Sequence, residues 1–195
     1  MALFGFFMAA CSTTKLTETK VYPDFHGHRV SDILVITVTD KEDVRKSFEN
    51  TFVQQLKDAG VDAVSSIDVI PIPPDQKLEK REILKAVEKY KNDAVIITHL
   101  VGVKTREVYH PPERRYYGYY GYYGSVYDYA YEPGYYSEDT FVLLETNLFD
   151  VQTEKPIWSG QSETWNPEST HQVIDEVIKV VIDELKRYNL LNLPG

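Results

Sequence analysis

Residues 32–60 read DILVITVTDKEDVRKSFENTFVQQLKDAG. The first eight, Asp32–Thr39, are a β-branched apolar run and predict a buried strand. Asp40 then offers an N-cap, with Glu42 and Asp43 in the first turn, where the helix dipole favours acids. Val44, Phe48, Phe52 and Leu56 recur at four-residue steps and make one apolar stripe. Gly60 closes the segment, because glycine takes the left-handed conformation that ends a helix. A strand followed by a helix over 41–59 is therefore the first unit. Arg45 and Glu49 share one helical face, spaced as a solvated i, i+4 ion pair.

Working outward, Val61–Ile70 predicts a second strand, broken by Pro71-Ile72-Pro73-Pro74. A helix over about 76–91 places Ile83, Leu84, Val87 and Tyr90 on one side. Ala94–Val103 is the most apolar run and predicts a central strand. His99 lies within it and reads as a sheet-face residue. Thr140–Val151 is a long strand, with Phe141, Leu143 and Phe149 on one face and Val142, Leu144 and Leu148 on the other. Gln152–Lys155 turns the chain into a partner strand, Pro156–Trp165, carrying Trp158 and Trp165. Asn166-Pro167-Glu168 reads as the start of a last helix, which buries Val173, Ile174, Val177, Ile178, Val181, Ile182 and Leu185 and ends near Tyr188. The fold class is α/β (α+β): a mixed sheet of about five strands in the order β-α-β-α-β-β-β-α, with helices packed on it. One domain spans 31–189, and 190–195 is a short tail.

Between the third and fourth predicted strands lies an insertion, 106–137, holding twelve of the fifteen tyrosines. It includes Tyr116, Tyr117, Tyr119, Tyr120, Tyr122 and Tyr123, with Gly118, Gly121 and Gly124 at every third position. Three readings are open. A polyproline-II segment would put the glycines on one edge. A β-ribbon would alternate its faces. A low-complexity loop would have neither order. Tyrosine supplies a large contact area, few rotatable bonds and a hydroxyl, so these six residues form a candidate surface for protein or cell-wall glycan. Asp128, Glu132, Glu138 and Asp139 read as acids that keep this segment solvated.

Net charge is −9, and the longest basic run is Arg114-Arg115. That argues against nucleic-acid binding. The single cysteine excludes an intrachain disulfide and a thiolate zinc cage. His26-Gly27-His28 has no third ligand nearby and reads as a solvated turn. No apolar run reaches the length of a membrane-spanning helix. There is no Gly-x-Ser-x-Gly elbow, phosphate loop or His-Glu-x-x-His, so no enzyme activity, catalytic residue, metal or cofactor is expected.

The first ten residues, Met-Ala-Leu-Phe-Gly-Phe-Phe-Met-Ala-Ala, precede Cys11. Met8-Ala9-Ala10-Cys11 resembles the lipobox of bacterial lipoproteins. The resemblance implies a signal peptide over 1–10, cleavage before Cys11 and lipid, palmitate included, attached to Cys11. Ser12 in place of Asp implies the outer membrane, with the domain facing the periplasm. No Lys or Arg precedes Cys11, as a start upstream of Met1 would explain. Residues 11–30 are polar and read as a tether.

The helix Arg45…Phe48-Glu49…Leu56…Gly60 and the hairpin Leu148-Phe149-Asp150-Val151…Lys155-Pro156-Ile157-Trp158-Ser159-Gly160 complete a second resemblance. Together with the lipobox they resemble small Gram-negative envelope lipoproteins of unknown function, whose soluble domain looks like the N-terminal domain of TolB. That resemblance implies a binding or assembly role and transfers no catalytic residue. The alternative is a structural oligomer subunit, joined through sheet edges or the Trp158/Trp165 hairpin, with the tyrosine segment as a spacer.

Overall fold

A computed structural model describes residues 13–23, 29–70, 76–110, 118–131 and 134–193. Its elements are β1 (Thr14–Val21), β2 (Asp32–Val38), α1 (Glu42–Asp58), β3 (Asp62–Ser65), α2 (Ser66–Val69), α3 (Lys80–Tyr90), β4 (Ala94–His110), α4 (Gly118–Tyr131), β5 (Tyr135–Asp150), β6 (Pro156–Trp165) and α5 (Thr170–Arg187). The strands form one six-stranded sheet in the order β1-β6-β5-β4-β2-β3. β2 is parallel to β3 and to β4, while β4, β5, β6 and β1 run antiparallel in turn. The mixed α/β sheet expected from the sequence is present, with one strand more.

β2 explains the layering. Ile33 and Val35 pack with α1 and α5 on one face, and Leu34 and Ile36 pack with α3 on the other. A strand buried on both faces reads as a continuous apolar run rather than an alternating one. Next to it, Ile96, Leu148 and Trp158 extend the larger core under α5.

Both long helices end in the same device. At α1, Val61 N–H donates to Leu56 O and Gly60 N–H to Lys57 O, with Gly60 at φ 87°. At α5, Leu190 N–H donates to Leu185 O and Asn189 N–H to Lys186 O, with Asn189 at φ 57°. These paired bonds satisfy carbonyls that a helix end otherwise leaves orphaned.

Several expectations are corrected. The segment read as a tether contains β1, an edge strand paired with β6 from Thr14↔Thr164 to Val21↔Trp158. Its charged residues hid it, yet charges and the bulge at Leu16/Glu18 are what protect an edge from further pairing. The tail is tied in as well: Leu190 and Leu191 are buried, and Val30 bonds Leu190 O and Asn192 N. The second strand stops at Ser65, and α2 replaces its second half because Ser66 and Ile67 turn to reach Glu49. α1 is capped at Lys41 without a side-chain bond, not by Asp40. α5 is capped by Ser169, whose Oγ accepts from Gln172 N–H, not by Asn166. The Arg45–Glu49 pair is buried rather than solvated.

Candidate interaction site

β4 and β5 continue well past the rest of the sheet. β5 pairs with β6 only as far as Phe141↔Trp165. From Thr105↔Thr140 to His110↔Tyr135 the two strands form a ribbon alone, roughly 17 Å long at the usual rise per residue. Asn166 holds its base: Thr140 N–H donates to Asn166 Oδ1 (2.6 Å), Asn166 N–H to Thr140 O (2.8 Å), and Asn166 Nδ2 to Asp139 Oδ1 (2.8 Å). This is why Asn166 does not cap α5. The Arg106 guanidinium lies over the Phe141 ring at 5.6 Å, within cation–π range. Near the tip, Tyr109 packs on Tyr136 (5.1 Å between centroids), His110 stacks on Tyr135 (4.7 Å), and His110 Nε2 and Ser137 Oγ are 2.8 Å apart. A side chain at Gly134 would collide with His110 O and the Tyr109 ring, so only glycine fits where β5 begins.

The core of the tyrosine segment is neither polyproline-II nor ribbon: Gly118–Tyr131 is helix α4. The glycine triplets concealed a helical signal, because Tyr119, Tyr123, Tyr127 and Tyr131 recur every four residues. Their rings form a ladder, with Tyr123–Tyr127 centroids 6.2 Å apart and Tyr127–Tyr131 4.5 Å apart. Such pairs favour tilted and edge contacts over face-to-face stacking. Ser125 is buried on the opposite side of the helix.

Of the six candidate residues, Tyr119 (85% exposed) and Tyr120 (78%) are the most open, and Tyr122 and Tyr123 are also exposed. Tyr116, Tyr117 and Cys11 lie outside the described residues. The structure adds five tyrosines to the surface, namely Tyr109, Tyr127, Tyr131, Tyr135 and Tyr136, all exposed. An exposed aromatic patch of this extent is the usual mark of a contact surface. Of the two tryptophans, Trp165 is exposed, while Trp158 is fully buried and presents nothing to a partner. His99 lies on β4 and is partly buried. Among the described residues no cluster of three potential metal ligands occurs, and no helix is long and apolar enough to cross a membrane.

Fold and arm together define a mixed α/β domain that carries a projecting aromatic hairpin. No family model matches the chain, and no curated protein matches it. Among solved structures, the PelC dodecamer from Paraburkholderia phytofirmans is 14% identical, with 86% of this chain and 94% of that chain covered and a TM-score of 0.47. Lipoprotein GNA1162 from Neisseria meningitidis is 15% identical, with 80% and 99% covered and a TM-score of 0.44. A PDZ domain protein from Parabacteroides distasonis is 12% identical, with 91% and 36% covered and a TM-score of 0.39. These are distant likenesses of chain path; the dodecamer and the lipoprotein character are properties of those proteins.

Proposed function

We propose that this protein is a lipid-anchored module of the bacterial envelope that binds a partner through the tyrosine-bearing end of its β4–β5 arm. The observation that carries the reading is the arm itself. It joins a helix of exposed tyrosines to a ribbon that runs past the rest of the sheet and is clamped at its base by Asn166. Rigid aromatic side chains lose little conformational entropy on contact and so suit recognition. The partner is another envelope protein or peptidoglycan, and the role is binding or assembly without catalysis. The anchor is lipid on Cys11, in the outer membrane and facing the periplasm, as the lipobox and Ser12 suggest. The TolB-like reading rests on the sequence motifs quoted above.

Two experiments test this. A photoreactive residue at Tyr120, irradiated in cells, should capture a discrete partner that is lost when Tyr119, Tyr122 and Tyr123 are changed to Ser. Capture that ignores those changes would remove the arm from the reading. Cys11→Ser should lower the mass by the lipid and release the protein from membranes; unchanged mass and fractionation would remove the anchor. If the protein is instead an oligomer that survives deletion of 107–136, the arm is a spacer. That deletion is feasible because Arg106 and Asp139 already face each other across the ribbon.

A further inference from the structure

The pairing register shows at which end of the sheet the N-terminal segment joins the domain. Phe141 pairs with Trp165 on one side and with Lys104 on the other, and Trp165 N–H donates to Thr13 O. Thr13, Trp165, Phe141 and Lys104 therefore stand in one row across the sheet. β1 runs in the same direction as β5, since both are antiparallel to β6. The chain thus enters β1 from the side of that row on which the arm projects. Thr13 is fastened there to α5: its N–H donates to Glu176 Oε2 (2.9 Å), and its Oγ1 accepts from Gln172 Nε2 (3.2 Å).

Only Ser12 separates Thr13 from Cys11. Two residues span at most about 7 Å, so Cys11 stays close to the row. The ribbon goes further. From Lys104 to His110, its tip lies roughly 20 Å beyond the same row at the usual rise per residue. An acylated Cys11 would sit at the bilayer surface, and the tip outreaches it by more than a headgroup layer, which is roughly 5–8 Å thick. The ribbon is graded to match. Its outer end, Val108–His110 and Tyr135–Ser137, has no Asp, Glu, Lys or Arg and exposes Tyr109, Tyr135 and Tyr136. Lys104, Arg106, Glu107, Glu138 and Asp139 all lie nearer the sheet. Tyrosine rings collect at membrane–water interfaces, where the ring leaves water and the hydroxyl stays wet. Charges of both signs along the collar and none at the tip fit zwitterionic headgroups; nothing in the ribbon selects an anionic surface.

We infer that the ribbon's tip is a membrane contact: Tyr109, Tyr135 and Tyr136 enter the headgroup layer of the leaflet that carries the lipid of Cys11. The inference rests on the anchor in the proposed function. It goes beyond that reading by fixing how the domain stands, with the arm toward the bilayer and the β5–β6 turn away from it. It concerns the ribbon alone and leaves the tyrosines of α4 to the partner.

Full-length protein is isolated from membranes, its lipid checked by intact mass, and reconstituted into phosphatidylcholine vesicles with or without lipids brominated near the headgroup end of their acyl chains. Tyr136→Trp adds a fluorophore at the tip, and Lys155→Trp adds one at the exposed β5–β6 turn. Wild type reports Trp158 and Trp165 and supplies the baseline. The emission added by Tyr136→Trp should be lost to brominated lipid, and that added by Lys155→Trp should be kept. Tyr135→Trp, on the other face of the ribbon, should lose its emission too and serves if Tyr136→Trp fails to fold. The vesicles contain no other protein, so a tip that meets only a protein partner keeps its emission. That result overturns the inference and leaves the anchor standing. Quenching of Lys155→Trp without quenching at the tip overturns it as well, since the domain then stands the other way up. A mass without lipid refutes the anchor and takes the inference with it, and the mass alone distinguishes that failure from the others.

Discussion

Glu49→Ala removes the acceptor for five separate groups in the core. Thr37 N–H (2.9 Å), Arg45 Nε (3.0 Å), Ser65 Oγ (2.9 Å), Ser66 Oγ (2.8 Å) and Ile67 N–H (2.8 Å) all donate to its carboxylate. The side chains of Arg45 and Glu49 are 6% and 0% exposed, so water cannot take over. The two serine hydroxyls can rotate to other acceptors, but the two backbone N–H groups and the guanidinium cannot. One-sided removal of a buried ion pair costs about 3–5 kcal/mol, and each stranded N–H adds to that within a range of roughly 1–3 kcal/mol. Against a whole-domain stability of about 5–15 kcal/mol, Glu49→Ala should remove most of the margin. Arg45→Met should cost less, about 1.5–3 kcal/mol, because the carboxylate keeps its other four donors. Urea denaturation followed by fluorescence of the buried Trp158 measures both. The reasoning fails if Glu49→Ala costs under about 1 kcal/mol, or if Arg45→Met is as damaging as Glu49→Ala.

Further outcomes follow from the same contacts. Gly160→Ala should destabilise by about 1–3 kcal/mol, because the added carbon would overlap the fully buried ring of Trp158. An unchanged melting temperature would show that the ring yields freely. Changing Tyr119, Tyr120, Tyr122 and Tyr123 of α4 together to serine should leave stability within about 0.5 kcal/mol of wild type, since those side chains are exposed; a larger loss would make them structural. Burial raises the Asp32 carboxyl above its ordinary 3.8, with Asp62 and Asp93 adding to the rise and the Asn92 hydrogen bond opposing it. A carboxyl raised on folding contributes stability that is complete below its unfolded value and is lost as pH climbs through its folded one. Urea midpoints should therefore fall for wild type relative to Asp32→Asn as pH rises from about 3 upward, and the opposite slope would contradict the burial argument.

The sheet and its helices were legible because their signals are local. β2 is a continuous apolar run, α1 and α5 carry apolar stripes, and β5 alternates as drawn. What escaped depends on partners distant in sequence. β1 looks like a polar tether until β6 supplies its hydrogen bonds. Asn166 has every mark of an N-cap, yet Thr140 and Asp139 claim it. Arg45 and Glu49 carry the spacing of a surface pair, and only the turn at Ser65–Ile67 buries them. Within the tyrosine segment the glycine triplets drew attention from the four-residue tyrosine period that forms α4. The irregular stretch of β4 was invisible for a further reason. The bulge in β4 places Leu100 and Val103 on one face, which no two-residue alternation predicts.

Glu49 also holds the end of β2, because Thr37 N–H donates to its carboxylate (2.9 Å). The carboxylate that ties α1 to Ser65, Ser66 and Ile67 therefore also fixes where β2 ends. Glu49→Gln keeps one acceptor oxygen but presents an amide donor to groups that are themselves donors, so it should destabilise the domain, though less than Glu49→Ala. Its effect on stability and that of Arg45→Met should not add, because both act through the same carboxylate. Tyr120→Ser, in α4, should add independently to either. Full additivity between Glu49→Gln and Arg45→Met in urea denaturation would mean that Arg45 is held independently of the carboxylate.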